Sequence, residues 1–142
     1  MLKSIEQAAE NFCIHQIGSQ CSMEDGATKK RTLIASIDIN TQEDTKYRVY
    51  LASDEAFLQR VCKLFLEEDT SDEETMQDML LETVNLIVGS AKVIAKEENT
   101  HPYTIQTPSF EKVGDFDLAY DEAKTIKLDN DELTIAIKEL DA

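Results

Sequence analysis

The apolar positions along this chain change period several times. Residues 2–17 place Leu2, Ile5, Ala9 and Phe12 on one side of a helical wheel, and Gly18 follows as a stop, so an amphipathic helix is expected there. Residues 18–30, GSQCSMEDGATKK, carry no apolar rhythm and read as a polar loop. The period then falls to two. Leu33, Ala35, Ile37 and Ile39 alternate through TLIASIDI, NTQED turns the chain, and Tyr47, Val49 and Leu51 alternate through TKYRVYLA. Ser53 stands where it can cap a helix over 54–67 with Phe57, Val61 and Leu64 inward. Further on, HPYTIQTPSF reads as a short strand closed by Pro108, and residues 116–128 offer one or two more strands. DND then turns into ELTIAIKEL, where Leu133, Ile135 and Ile137 alternate. The order α-β-β-α-α-β-β-β predicts an α+β fold, a mostly antiparallel sheet with two or three helices packed on it.

The longest helical pattern begins at SDEE. Glu74 follows Ser71 by three residues, the spacing of a capping box, and the pattern runs to about Asn99, where Pro102 limits it. Met76, Leu80, Val84, Ile87, Ala91 and Ile94 share one side. Asp78, Glu82, Asn85 and Gly89 fall together on the opposite side. Acidic and amide side chains are ordinary on a solvated helix face. Gly89 is not, because glycine in a helix interior costs about 1 kcal/mol relative to alanine. Its place on the polar stripe suits a close approach to the backbone.

Composition narrows the function classes. The chain has 142 residues, 42% of them hydrophobic, which suits one globular domain over 1–142 with a real core. Its net charge is −15, from 29 acidic and 14 basic residues, which argues against nucleic-acid or membrane-surface binding. No apolar run approaches 18 residues, and no signal peptide is visible. Three cysteines without a C-x-x-C fit reduced cytoplasmic thiols, and Cys62 in its apolar run reads as a small buried hydrophobe. His15 and His101 stand in no metal-ligand spacing, and the four glycines form no phosphate-binding loop.

Asp78, Glu82, Asn85 and Pro108 stand at the spacings of D/S-x3-E-x2-N-x22-P, the motif of the CheC/CheX/FliY family of chemotaxis phosphatases. The segment VYLASDEAFLQRVCKLFLEE also resembles the strand, capped helix and motif-helix entry of CheX-like proteins, and Gly89 resembles the family's helix. CheC and FliY carry two such motifs. The first helix here, SIEQAAENFCIHQ, has no E-x-x-N, so the resemblance points to the single-motif CheX branch. Val84 stands where many relatives have Gly, which bears on local packing. The resemblance implies hydrolysis of the aspartyl phosphate on a CheY-like response regulator. Asn85 would position the attacking water and Glu82 would pair with the regulator's active-site Lys. Asp78, Gly89 and Pro108 would support the motif. No cofactor of the chain's own is implied, since the regulator brings Mg²⁺, and a homodimer is expected. The alternatives are a non-catalytic adaptor or phosphate sink for phosphorylated regulators, or a component of the flagellar switch.

Overall fold

A computed structural model describes residues 2–18, 21–41, 44–97 and 103–140. Strand β2 (Arg31–Thr41) organises the sheet. One edge of β2 pairs with β3 (Lys46–Ser53); the other is shared by two shorter strands, β4 (Tyr103–Ile105) and β5 (Ser109–Asp115). Outward from β3 come β7 (Asp131–Leu140), β6 (Glu122–Leu128) and β1 (Ser22–Asp25). Every pairing is antiparallel. Alternation and register together build the core. Ala35 stands opposite Leu51 and Leu51 opposite Ile135; Ile37, Val49 and Ile137 form the next row. All six are buried on the face that carries the helices. The other face buries Ile34, Tyr50, Ala52 and Ala136 beneath Phe116 and Leu118.

Three helices cover the first face: α1 (Leu2–Asn11), α2 (Glu55–Leu66) and α3 (Glu73–Glu97). Helix α1 widens into a π-helical turn over Phe12–Ile17, closed by Gly18 at φ 79°, whose N–H donates to the Cys13 carbonyl at 3.0 Å. The expected fold class is therefore the observed one, with corrections in detail. The stretch expected as a polar loop contains β1. Its residues are mostly exposed and lack alternation, and it is held by the ladder to β6 and by Lys124–Asp25 and Lys127–Glu24 ion pairs. Strand β5 was not expected at all; its alternation is broken by a register shift beside Ile34 and Ala35.

The helix starts also differ by one residue. Asp54, not Ser53, caps α2, its Oδ1 accepting from Phe57 N–H at 2.7 Å. Asp72, not Ser71, caps α3, accepting from Thr75 N–H at 2.8 Å, and no Ser71–Glu74 capping box forms. Ser71 instead exchanges two backbone hydrogen bonds of 2.8 Å with the Gln59 side-chain amide, which ties α3's entry to α2. Leu64, expected inward, is 46% exposed, because α2's buried arc is centred on Phe57, Leu58, Val61 and Cys62. His101, Pro102 and the predicted helix end at Asn99 lie outside the described residues, as does the His15 side chain.

Candidate functional site

Helix α3 positions the site. Met76, Met79, Leu80, Val84, Ile87, Val88 and Ala91 bury one side of it, with Ile94 half-buried. Val84, the departure from the family pattern, is fully buried. Thr83, buried mid-helix, is satisfied by donating to the Met79 carbonyl at 2.7 Å. A second tie comes from the sheet, where the Tyr103 hydroxyl on β4 donates to the Val88 carbonyl at 2.8 Å. Burial pushes the Tyr103 phenol above its ordinary pKa, so it stays a donor at neutral pH. Hydrogen bonds from Thr75 hold the Asp72 carboxyl below the usual range at the helix start. Packing, cap and tie together fix α3 in height and rotation on the sheet.

The opposite side of α3 carries Asp78, Glu82 and Asn85, all exposed. None of the three side chains takes part in a hydrogen bond or ion pair among the described residues. Glu82 and Asn85 are separated by about 4.5 Å of helix rise and lie on neighbouring rows, so one small group can meet both. Gly89 continues the line. A Cβ added to it would meet nothing within 4 Å, so no contact inside the chain requires glycine there. Pro108 stands apart, half-buried, in the short link 106–108 between β4 and β5. Lacking an N–H, it suits the point where β2's partner changes from one strand to the other. The structure thus brings four of the five sequence-predicted residues onto one helix face and puts the fifth at a break in the neighbouring sheet edge.

The chemistry open to this face is limited and specific. The residues within one turn of Asn85 on α3 that are not buried are Leu81, Glu82, Leu86 and Gly89, which include no cation to hold a phosphoryl group. Among the described residues no group of three or more His, Cys, Asp and Glu is placed to hold a metal ion. An amide can orient a water, and a carboxylate can pair with a cation supplied from outside. The thiols are unsuited to nucleophilic work. Cys62 is buried, and burial raises its thiol above the ordinary pKa; Cys13, also buried and beside Cys21, is pushed up to about 12.

The family profile for the chemotaxis phosphatase CheX matches residues 34–128, a span that contains the whole of α3 and Pro108. The chain belongs to the CheX family. No curated protein matches it. Its fold is that of solved CheX proteins. Chemotaxis protein CheX from Vibrio vulnificus superposes with a TM-score of 0.77 at 16% identity, covering 98% of both chains. CheX from Desulfovibrio desulfuricans gives 0.76 at 18% identity, covering 97% of both. The CheX of a CheX–CheY–BeF3–Mg²⁺ complex from Borrelia burgdorferi gives 0.70 at 16% identity, again over 97% of both. Among the described residues of this CheX-family chain, no helix is long and apolar enough to cross a membrane.

One part of this face was not found from the sequence. Leu86 and Val93, 44% and 56% exposed, lie beside Gly89 instead of in the buried arc. A wheel read for its polar stripe alone passes over them; read for apolar residues on the wrong side, it would have singled them out.

Proposed function

We propose that this CheX-family chain removes the phosphoryl group from the phosphoaspartate of a CheY-like response regulator. The observation that carries the reading is the pair Glu82 and Asn85, exposed, unengaged and one turn apart on a helix whose other side is fixed by packing. An acyl phosphate already has a good leaving group, so what it lacks is a water held in line with phosphorus. The Asn85 amide supplies that by positioning. Glu82 pairs with the Lys of the regulator's active site and sets the register of α3 across it. The regulator supplies its own Mg²⁺, which suits a motif with no cation within one helical turn of Asn85. Asp78 lies one turn before Glu82 and shapes the approach; Gly89 leaves room for the partner's surface; Pro108 shapes the sheet edge beside α3.

The experiment is phosphate release from a panel of phosphorylated response regulators, with this protein at substoichiometric amounts. Many turnovers per molecule are expected for at least one regulator. Capture of a phosphorylated regulator without turnover would replace the phosphatase reading with that of an adaptor or phosphate sink.

A further inference from the structure

Beside the motif stripe runs a groove of ≈ 430 Å³ between α1 and α3, closed at one side by the end of α2. Phe12, Phe65, Leu86, Val93 and Ile94 give it an apolar lining, with Asn11 and Ser90 among its few polar residues. Phe65 stacks on Phe12 with ring centroids 6.1 Å apart, yet remains 39% exposed. The groove begins at Leu86, the residue after Asn85. A partner broad enough to cover Asn85 therefore reaches the rim of the groove at Leu86.

We propose that this groove is the docking site of the receiver domain whose phosphoaspartate meets Asn85, and that it takes an apolar side chain from the receiver surface beside the phosphorylation site. The inference rests on the phosphatase reading for the identity of the partner. Two observations commit it to that occupant. The first is area. From Glu82 to Gly89 the stripe is about 10 Å long on a helix about 10 Å across. Specific complexes cover about 800 Å² per partner, several times what such a stripe offers. The partner must therefore spread along α3 in one direction or the other. The second is charge. Toward the helix start, before the motif stripe, lie Glu67, Glu68, Asp69, Asp72, Glu73 and Glu74, all exposed. A partner presenting a phosphoryl anion is repelled there. Toward the helix end lie Leu86, Gly89 and Val93, with Lys92, Lys96 and Glu97 exposed among and after them. That side offers an apolar seat, a bare backbone and two cations against one carboxylate.

The test separates docking from chemistry. Receivers of the same regulator panel are loaded with beryllofluoride and Mg²⁺ and titrated against wild type, Val93→Asp, Leu86→Ser and, as a control, Tyr120→Ser. Tyr120 is 41% exposed and contacts Phe116 on the opposite face of the sheet. Val93 and Leu86 are exposed, so the variants fold, as thermal melting verifies. Val93→Asp is expected to weaken binding about tenfold or more and to raise KM in parallel while kcat at saturation holds. Leu86→Ser changes in the same direction, and Tyr120→Ser binds like wild type. Receiver binding by Val93→Asp equal to that of wild type overturns the docking site. So does a Val93→Asp protein that loses self-association by light scattering yet keeps full receiver affinity, because a second copy then fills the groove. Groove-dependent binding without phosphate release leaves the docking site standing and removes the phosphatase reading. Failure of wild type to bind any receiver removes both.

Discussion

At the scale of single residues, Asn85 carries the sharpest expectation. Asn85→Asp keeps the shape of the side chain on an exposed position, so its melting temperature should stay close to wild type. Turnover of phosphorylated regulator should fall about 10²-fold or more, because the carboxylate repels the developing phosphoryl charge and lacks the N–H donors that orient water. Asn85→Gln should also fail, since one added methylene displaces the amide by about 1 Å. A folded Asn85→Asp protein with near wild-type turnover would remove Asn85 from the mechanism. Glu82→Ala opens no cavity and should leave folding untouched, while a titration should show a loss of about 2–5 kcal/mol in association with the phosphorylated regulator. These residues were legible in the sequence because helical spacing fixes which side chains share a row, whatever the rest of the fold does. Leu86 and Val93 were not, because an apolar residue on a helix counts toward a core until the arc that actually meets the sheet is known.

At the scale of elements, strong period-two and helical patterns located β2, β3, β7 and the three helices correctly, and the errors fell where local chemistry competes. Two candidate caps stood side by side at both helix starts, and the carboxylates of Asp54 and Asp72 won over the neighbouring serines. Asp54 does more than cap. It is buried, and its second oxygen accepts from Glu132 N–H at 2.8 Å at the start of β7 and pairs with Lys30 at 3.3 Å. Asp54→Ala should cost about 2–4 kcal/mol in chemical denaturation, combining a lost cap with an unpaired buried donor. An effect under about 0.5 kcal/mol, the scale of ordinary surface changes, would show that the link from α2 to β7 is dispensable. Strands β1 and β5 stayed hidden because edge strands need little burial, so their sequences carry little alternation. Within α3, Gly89→Ala should raise stability by roughly 0.5–1 kcal/mol, since its Cβ meets nothing in the free protein. The same variant should bind the regulator more weakly. A gain in stability with no loss of binding would mean that the partner does not approach the helix there.

At the scale of the whole molecule, self-association is set against a net charge of −15. A homodimer is expected from the family resemblance, and light scattering at tens of micromolar, above ordinary dimer dissociation constants, should return twice the chain mass. Added salt should strengthen the dimer by screening like charges. A monomer mass would overturn the expectation. The outer edges available for sheet-to-sheet pairing are short. β1 has four residues, and β2's far edge is divided between strands of three and seven. The bond from Tyr103 to Val88 reaches further than its own strength. It ties α3 from beneath, at the residue just before Gly89, and leaves the outer surface of the helix with no structural duty. Recognition and support are thereby separable. Exchanging exposed residues such as Leu86, Gly89 and Val93 for those of a relative should retarget the chain to another regulator without repacking the core, so that one scaffold can serve successive signalling pathways by changing only its outermost layer.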